Sequence, residues 1–466
     1  DDLGQNLCCE RPAKETIDFS ECEVVVEAEL INSRVAAVSI EGRVATATWE
    51  NDRLTCWASS EGAHSYRADV AKALGVEPHD VRVVVTDVGG GFGAKGLASE
   101  EEIIVAQLAR IHGRPVRWAE TRTENLTGYV HGRAQNQTVT MGGTRDGRIT
   151  HYRLRVIQDS GAYPKWGAYL PEFTRWMASG VYDIPNVEFS STSVVTNTAP
   201  TCAYRGAGRP EATAAIERAV DLFALEIGMD PAEVRRSNLP GPEAFPFTNG
   251  TGTVYDSGDY ETALDLALET AGYLDLRAEQ LRRREAGDRH QLGVGLATYV
   301  EITGFGGSEY GKVDLNSDGT VRAITGSTPI GTGHVTTWAM LVADRLGVSL
   351  DDVEIVYGDT DVVPSGDTTG GSRSVQLAGS AMADASDKLS DAGRQVVASM
   401  LEASVDDVVL DREAGRFHVA GTPALSRTWA EVAEAVSGPG GGLSGLSDFS
   451  QKGATFPFGA HLVVVD

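Results

Sequence analysis

The sequence is poor in cysteine, and its cysteines are not spaced to bind a metal. The five are Cys8, Cys9, Cys22, Cys56 and Cys202, with no Cys-x-x-Cys pair and no Cys/His cluster. Iron–sulfur clusters and structural zinc ions are bound by such closely spaced ligands. We therefore predict neither centre, and the electrons of any redox reaction would have to leave through another carrier.

Long apolar runs and an excess of positive charge are also missing. No run approaches the roughly 20 apolar residues that span a bilayer, and no signal peptide opens the sequence. The formal net charge is −26, with 40 Lys and Arg against 66 Asp and Glu. Because nucleic acids and anionic membranes are bound mainly through Lys and Arg, this charge argues against both. We expect a soluble, cytoplasmic protein that acts on a small molecule.

Glycine, in contrast, is plentiful, and five glycines follow one short apolar run. Residues 81–85 are rich in β-branched side chains and predict a buried strand. The glycines after it are Gly89, Gly90, Gly91, Gly93 and Gly96. Glycine can take positive φ and lets backbone N–H groups approach an anionic or oxo-bearing ligand. A helix is predicted next, with a capping box at Ser99 and Glu102 and an end at Gly113.

A dinucleotide-binding loop is one alternative for this stretch. Gly91-x-Gly93-x-x-Gly96, with Glu120 at the end of the next predicted strand, fits the motif of nicotinamide-dependent dehydrogenases, although this motif alone is weak. A phosphate-binding Walker loop does not fit, because Lys95 is followed by Gly96 rather than by Ser or Thr. A turn needed only for packing is the remaining alternative.

The order strand, strand, loop, helix, strand, glycine-rich loop occurs twice. One copy runs from a strand at 44–49 through Gly62-Ala-His64 to the glycine stretch; the other runs from a strand at 312–315 through residues 331–334 to a Gly/Ser/Thr-rich loop. A duplication predicts an α+β protein of two related subdomains. Two equivalent glycine-rich loops would suit one extended ligand bound in a cleft between the subdomains. A chance resemblance of common elements is the alternative.

Four separated segments occur together in an order typical of one family. They are residues 89–95, 203–211, 331–334, and 358–361 with 369–374. With these motifs the sequence resembles the large, molybdenum-cofactor-binding subunit of the molybdenum hydroxylases, the family of xanthine oxidase, aldehyde oxidase and carbon monoxide dehydrogenase. The resemblance extends over essentially the whole chain.

The resemblance implies an α+β fold, the molybdenum-cofactor-binding domain of the aldehyde oxidase/xanthine dehydrogenase type, with two related subdomains. We expect a connector at 1–16, the first subdomain at 17–240, a helical linker region at 241–290, and the second subdomain at 291–466. The second subdomain is expected to be incomplete at its C-terminus.

The family's chemistry is implied as well. Molybdenum is bound by a pterin, molybdopterin, usually as the cytosine dinucleotide in bacterial relatives, and the protein supplies no metal ligand. The implied activity is oxidative hydroxylation of an aldehyde or aromatic N-heterocycle, with water as the oxygen source. Electrons would pass to separate iron–sulfur and FAD subunits, in a heteromeric complex compatible with a dimer of heterotrimers.

The resemblance also assigns roles to residues. Glu61 takes the position of the family's active-site glutamine, and we expect Glu61 and Arg205 to be catalytic. Phe92 and Gly93 would lie beside the apical oxo group of the metal. Arg373 would oppose a phosphate, with a buried salt bridge as the alternative. The expected cofactor-binding residues are Gly91, Phe92, Gly93, Arg205, Gly206, Ala207, Gly331, Thr332, Gly333, His334, Thr369, Gly371, Ser372, Arg373 and Ser374.

Several positions depart from the family pattern. A carboxylate at Glu61 would be repelled by an oxo ligand unless protonated, so we expect a raised pKa or a side chain that points away, with a surface acid as the alternative. Thr332 replaces the glutamine of a Gly-Gln-Gly-His motif. Gly206 stands where carbon monoxide dehydrogenases carry a copper-bridging cysteine, and Cys202 lies too early to replace it. Gly96 stands where purine-oxidising relatives place a glutamate. These departures disfavour carbon monoxide and xanthine as substrates.

The family's catalytic base is not found in the sequence. In the family, a glutamate in a Gly-x-Gly-Glu type sequence near the C-terminus accepts a proton from water, and no such sequence precedes Asp466. The family's large subunits also begin with a further domain. We therefore expect missing segments at both ends, on a longer or a second polypeptide. Glu61 as a substitute base, and a non-catalytic subunit that retains the cofactor fold, are the alternatives.

Overall fold

A computed structural model describes residues 5–304, 306–438 and 442–466. The chain forms two units, each made of separate segments. Unit 1 comprises the described residues of Asp1–Ala37, Thr127–Thr303 and Ala454–Asp466, and unit 2 comprises those of Val38–Leu126 and Gly304–Gly453. The boundaries expected from the sequence, 17–240 and 291–466, divide the chain differently and stay a prediction.

Strands and helices alternate along much of the chain. The strands are β1 (Leu7–Arg11), β2 (Val24–Asn32), β3 (Val35–Ala36), β4 (Val44–Glu50), β5 (Arg53–Ala58), β6 (Val81–Val84), β7 (Val116–Ala119), β8 (His131–Gly132), β9 (Gln135–Gly143), β10 (Ile149–Asp159), β11 (Asn186–Val194), β12 (Phe247–Thr248), β13 (Val254–Tyr255), β14 (Gly293–Val300), β15 (Ser308–Leu315), β16 (Val321–Thr325), β17 (Val353–Val356), β18 (Val408–Asp411), β19 (Arg416–Val419), β20 (Thr422–Thr428), β21 (Leu443–Ser450) and β22 (Phe458–Val465). The helices are α1 (Ala63–Leu74), α2 (Glu100–His112), α3 (Arg122–Gly128), α4 (Leu170–Trp176), α5 (Arg209–Ile227), α6 (Pro231–Arg236), α7 (Tyr260–Ala271), α8 (Tyr273–Glu285), α9 (His334–Leu346), α10 (Ser380–Met400) and α11 (Trp429–Ala435).

Unit 1 is built around a five-stranded sheet in the order β1-β11-β10-β9-β2. Helix α5 packs against this sheet because its small and apolar side chains recur every three or four residues and form one face. On that face, Ile216, Val220 and Phe223 are fully buried, together with Tyr152 and Leu154 of the sheet. This packing fixes the N-terminus of α5, directly after the segment 203–208.

Unit 2 contains both copies of the sequence repeat, and the copies have the same strand topology. Their sheets have the orders β6-β5-β4-β7 and β17-β16-β15-β21. In each copy the first two strands are antiparallel and the third is parallel to the second, at the sheet edge. The registers also correspond, since Leu54 pairs with Val81 and Val321 pairs with Val353. The predicted repeat is therefore confirmed in its topology.

The two repeats are joined through the segments that follow their outer strands. Val85 N donates to Gly358 O at 2.8 Å, and Thr360 N donates to Val83 O at 3.0 Å. The glycine-rich loop after β6 and the loop after β17 therefore begin side by side in unit 2.

Two features of the chain differ from the simplest reading of the sequence. Strand β1 lies within the polar segment 1–16 and pairs with β11. The region 241–290, expected to be a helical linker, contains the short strands β12 and β13 before the helices α7 and α8. Gly272, with a left-handed φ of 63°, separates the two helices. Among the described residues, no helix is both long and apolar enough to cross a membrane.

Candidate functional site

The glycine loop, residues 89–96, follows β6 and has an unusual backbone. Gly90 and Gly93 have φ values of 99° and 96°, and Phe92 between them has a φ of 60°. A left-handed φ is costly for a bulky side chain such as phenylalanine. The Phe92 ring is 40% exposed, so core packing does not compensate that cost. Hydrogen bonds to the loop must therefore stabilise its conformation.

Glu61 lies directly against the glycine loop and is only 1% exposed. Gly93 N donates to Glu61 Oε1 at 2.7 Å, and Lys95 N donates to the same oxygen at 3.4 Å. Glu61 N in turn donates to Lys95 O at 3.0 Å. A Cβ atom at Gly91 would lie 2.1 Å from Glu61 Oε1, so this approach requires glycine. Glu61 and the glycine loop are thus joined by hydrogen bonds in both directions.

The environment of Glu61 sets its protonation. Burial raises the pKa of Glu61 to about 7, although the Gly93 and Lys95 amides and the Lys95 charge favour the ionised carboxylate. The interpretation of Glu61 as a surface acid is therefore wrong, and the expectation of a raised pKa agrees with the structure. A carboxyl group that titrates near neutrality can both hold and release a proton at working pH.

A second segment of unit 2, the hydroxyl loop at residues 369–374, meets the same carboxyl residue. Thr369 N donates to Glu61 O at 2.8 Å, and Thr369 Oγ1 donates to Thr328 O at 2.6 Å. Ser327 Oγ lies 3.3 Å from Thr369 Oγ1 and donates to Ser374 Oγ at 3.4 Å. The backbone of the second repeat is therefore bonded to the backbone of Glu61 in the first repeat, and Thr369 also joins a group of hydroxyls in the second repeat.

The predicted segment 331–334 leads into α9. Gly331 is next to the glycine loop, because a Cβ atom there would lie 3.4 Å from Val88 O. Gly333 is the N-cap of α9 with a φ of 76°, and His334 is its first residue. His334 is 7% exposed, its ring lies 5.1 Å from that of Trp338, and burial lowers its pKa. His334 Nδ1 has no hydrogen-bond partner among the described residues.

Arg373 of the hydroxyl loop is engaged by acidic side chains. Its Nη1 lies 2.9 Å from Asp367 Oδ2 and 3.5 Å from Glu309 Oε2, and its Nη2 donates to Ser308 O at 3.0 Å. Burial raises the pKa of Glu309 to about 7, against the charge of Arg373. The structure therefore shows the buried salt bridge that was the alternative for Arg373. A contact of Arg373 with phosphate stays a prediction. The remaining predicted loop residues, Gly371 and Ser372, have left-handed φ values of 62° and 52°.

The predicted segment around Arg205 lies in unit 1. Arg133 donates from Nη1 to Tyr204 O at 2.9 Å and from Nη2 to Arg205 O at 2.6 Å, with its guanidinium 4.9 Å from the Tyr204 ring centre. Gly206 and Ala207 have positive φ values of 99° and 40°. Arg205 is exposed, and its carbonyl oxygen accepts one of the bonds that stabilise the turn.

Sequence reasoning missed three charged residues that support these loops: Glu41, Lys95 and Arg133. Lys95 Nζ lies 3.0 Å from Glu41 Oε2 beneath the glycine loop. Each contact joins residues that are far apart in the sequence: Lys95 and Glu41 are separated by 54 positions, and Arg133 and Arg205 by 72. The one local signal was the position of Lys95 within the glycine stretch.

The dinucleotide-binding alternative is contradicted by the sheet. That motif requires the strand that follows the helix to lie parallel and adjacent to the strand before the glycines. Here β7 pairs antiparallel with β4, and β5 and β4 separate it from β6. Glu120 is not placed to bind a ribose, because its buried carboxylate accepts from Arg43 Nε at 3.0 Å and from Asn125 Nδ2 at 2.8 Å. Within the described ranges, no three His, Cys, Asp or Glu residues are grouped to hold a metal ion.

Two family models match the chain in succession. Both are described as molybdopterin cofactor-binding domains, and they match residues 6–239 and 266–466.

Individual proteins are similar over almost the whole chain. The carbon monoxide dehydrogenase large chain of Hydrogenophaga pseudoflava is 35% identical, with 96% of this chain and 58% of the relative covered. The 6-hydroxypseudooxynicotine dehydrogenase complex subunit gamma of Paenarthrobacter nicotinovorans is 32% identical with the same coverage, 96% and 58%. The crystal structure of quinoline 2-oxidoreductase from Pseudomonas putida 86 matches with a TM-score of 0.91 at 31% identity, covering 98% of this chain and 61% of that one. The chain thus spans 58% of the length of both curated relatives.

Proposed function

The chain belongs to the molybdopterin cofactor-binding family of the molybdenum hydroxylase large subunits, and from this we propose that its protein oxidatively hydroxylates an aldehyde or an aromatic N-heterocycle. Water would supply the oxygen. The observation that carries the proposal is the convergence, within unit 2, of the glycine loop, the hydroxyl loop and the entry to α9.

The donor groups of unit 2 fit a phosphate-bearing pterin. Buried polar groups normally have hydrogen-bond partners, and an unpaired one costs stability. His334 Nδ1 and Thr328 Oγ1 are buried without partners among the described residues. They lie in the segments that precede and begin α9, a helix N-terminus whose N–H groups favour anions. Neutral donors and backbone amides of this kind suit the heteroatoms of a pterin and the oxygens of its phosphate.

Glu61 is proposed as a catalytic residue. When bound, the cofactor supplies the two-electron oxidation of the substrate carbon. Glu61 would exchange a proton beside it, since Gly93 N holds the carboxyl group at 2.7 Å and the pKa is about 7. The Phe92 ring, being partly exposed, would cover one side of the bound cofactor. Arg205 is the second proposed catalytic residue. Its backbone is held by the bond from Arg133 to its carbonyl oxygen, and the residue is exposed.

The remaining site residues are proposed to bind the cofactor. Glycines and small residues would provide N–H groups, and the Thr and Ser residues would provide hydroxyls. These residues are Gly91, Phe92, Gly93, Gly206, Ala207, Gly331, Thr332, Gly333, His334, Thr369, Gly371, Ser372, Arg373 and Ser374. We propose the cytosine dinucleotide form of the cofactor.

Partner chains and location are part of the same proposal. Separate iron–sulfur and FAD subunits would accept the electrons, in the cytoplasm, with a dimer of heterotrimers as the assembly. Two similar proteins are named as parts of multi-chain enzymes, a dehydrogenase complex subunit and a nicotine 6-hydroxylase large subunit, which supports partner chains here.

The substrate class rests on two positions and on the names of similar proteins. Gly206 and Gly96 offer neither the copper-bridging cysteine nor the purine-binding glutamate that the family resemblance assigns to these positions. Quinoline 2-oxidoreductase and nicotine 6-hydroxylase are named for aromatic N-heterocycles. We therefore favour an N-heterocycle or an aldehyde over carbon monoxide and xanthine.

The test is turnover by the protein purified with its native partners. Quinoline, nicotine, xanthine, carbon monoxide and aldehydes would be offered with an artificial electron acceptor in water enriched in oxygen-18. The proposal expects product carrying one heavy oxygen from an aldehyde or N-heterocycle. Oxidation of carbon monoxide alone would refute the substrate class, and a cofactor-loaded complex without any turnover would favour a non-catalytic subunit.

A further inference from the structure

The glycine loop is held at both ends by one carboxylate. Gly89 N, at the start of the loop, donates to Glu41 Oε2 at 2.8 Å. Lys95 Nζ, near the end of the loop, lies 3.0 Å from the same oxygen. The Lys95 side chain is 2% exposed, whereas that of Glu41 is 29% exposed. A single oxygen atom of Glu41 therefore connects residues 89 and 95.

The ammonium group of Lys95 is fully used in this arrangement. It donates to Glu41 O at 3.0 Å, to Glu41 Oε2 at 3.0 Å and to Ser59 Oγ at 2.7 Å. An ammonium group has three N–H donors, so each has one acceptor. Ser59 Oγ also donates to Glu41 Oε2 at 2.7 Å, so Lys95, Ser59 and Glu41 form a closed ring of hydrogen bonds. Burial alone would raise the pKa of Glu41, but Ser59, Gly89 and Lys95 outweigh it and lower that pKa.

The segment that carries Glu41 is itself fixed. Arg122 of α3 donates from Nη2 to Ser39 O at 2.5 Å and to Ile40 O at 3.0 Å. Glu41 N donates to Gly89 O at 3.2 Å, which adds a backbone bond to the side-chain one. The loop, in contrast, contains Phe92 in a left-handed conformation that its side chain disfavours. Glu61 supports the middle of that strained backbone through Gly93 N, and Glu41 with Lys95 supports its two ends.

We propose that Glu41 and Lys95 are positioning residues that close the glycine loop and keep the Gly93 amide on the Glu61 carboxyl group. Their role towards a cofactor rests on the proposed function, but the closure itself is a property of the free chain. Lys95 also acts on Glu61 directly, as the charged side chain that favours its ionised form. The acids facing Lys95 are Glu41, Glu102 and Glu120.

The first readout is backbone amide hydrogen exchange of peptides covering residues 85–98, in the protein with any partners that purify with it. The variants are Glu41→Ala and Lys95→Met, with Lys388→Met as control, because Lys388 forms an exposed ion pair with Asp384 elsewhere in unit 2. We expect exchange at least about tenfold faster in both loop variants and unchanged in the control, since charge-assisted bonds are lost. Unchanged exchange in the folded loop variants would overturn the proposal. If Glu41→Ala does not fold, Glu41→Gln replaces it, because glutamine keeps the size of the side chain and one acceptor oxygen. Exchange in residues 85–98 should again be faster than in the wild type.

The second readout is one that general destabilisation would not produce. The titration of the Glu61 carboxyl group is followed by carbon-13 NMR, with Glu61→Gln to assign the signal. Both variants should move the midpoint to higher pH because the Gly93 amide bond is weakened, and Lys95→Met should move it further because it also removes a nearby positive charge. A midpoint that moves in neither variant would contradict the proposal, and equal movement in both would contradict a direct effect of Lys95 on Glu61. Both readouts work without cofactor, so a protein that never binds molybdopterin would refute the proposed function without deciding this inference.

Discussion

The two repeats of unit 2 share a topology but use their buried polar groups differently. In the first repeat, Glu41 and Glu61 are bonded to amides of the glycine loop. In the second, His334 Nδ1 and Thr328 Oγ1 lack partners among the described residues. Buried groups without partners among the described residues also occur in the first repeat, at His64 Nε2 and Tyr66 Oη. The contrast is therefore limited to the two loops: carboxyl groups bind the amides of the glycine loop, whereas Thr328, which lies beside the hydroxyl loop, keeps an unpaired hydroxyl.

This difference indicates separate roles for the carboxyl groups beside the glycine loop and for the unpaired groups before and at the start of α9. A polar group whose hydrogen bonds are all made within the protein fixes the backbone around it. A buried group without a partner costs about 1–3 kcal/mol, which a bound ligand can recover. We therefore expect changes at Glu41 and Glu61 to act mainly on stability and protonation. Changes at Thr328 and His334 should act mainly on cofactor retention.

The largest effect is expected where the first repeat is packed most tightly. In Gly91→Ala the new Cβ would lie 2.1 Å from Glu61 Oε1 and displace a buried carboxyl group. We expect a loss of about 3 kcal/mol in the free energy of unfolding, at the upper end for overpacking. Chemical denaturation followed by tryptophan fluorescence measures it.

Gly370→Ala in the hydroxyl loop is the matched control for this experiment. A Cβ there would meet only Thr368 Cγ2 at 4.0 Å, an ordinary contact. Its free energy of unfolding should stay within about 0.5 kcal/mol of the wild type. Equal losses in the two variants would remove the proposed contrast between the loops.

A pH-dependent effect is expected from Glu61→Gln. A carboxyl group with a higher pKa in the folded than in the unfolded protein stabilises the fold below its unfolded pKa, and this stabilisation is lost as the pH rises through the folded pKa. With a shift from 4.5 to about 7, the variant should gain about 3 kcal/mol of stability relative to wild type between pH 4.5 and pH 8, at about 1.4 kcal/mol for each pKa unit.

Unfolding curves of both proteins between pH 4.5 and 8 test this sign. Other buried acids with raised pKa values, Glu102 and Glu309, are present in both proteins and cancel in the difference. A stability difference that does not change with pH would show that Glu61 does not titrate in this range.

The smallest effect on stability is expected in the second repeat. Thr328→Val removes a buried hydroxyl without a partner among the described residues. In the cofactor-free protein, the free energy of unfolding should therefore rise by up to about 1 kcal/mol. Protein purified from its source should retain less cofactor than the wild type. Thr360→Val is the control, because Thr360 Oγ1 accepts from Val83 N at 3.0 Å and its removal should cost about 1 kcal/mol. A decrease in the free energy of unfolding in both variants would argue against a ligand at Thr328.

Local sequence patterns were sufficient to predict the scaffold of unit 2. The Ser99–Glu102 capping box and Gly113 bound α2 as expected. The strands expected at 44–49, 81–85 and 312–315 correspond to β4, β6 and β15, because short apolar runs rich in β-branched residues favour strands. These signals lie within a few residues of each other, and tertiary context did not override them.

The partners of the site residues could not be predicted in this way. Lys95 and Glu41 are 54 residues apart, and nothing local pairs them. The backbone oxygen of Glu61 accepts from Thr369 N, which comes from the other repeat. The dinucleotide motif at 91–96 was misleading, because strand order, rather than glycine spacing, decides that fold.

The most direct test of the account is the molybdenum and pterin content of the protein purified from its source with its partners. Metal would be quantified by mass spectrometry and the pterin as its fluorescent oxidation product, each per copy of this chain. The account predicts one molybdenum and one pterin, released as a cytosine nucleotide, for each chain. A complex that contains the intact chain and its partners but neither molybdenum nor pterin would contradict it.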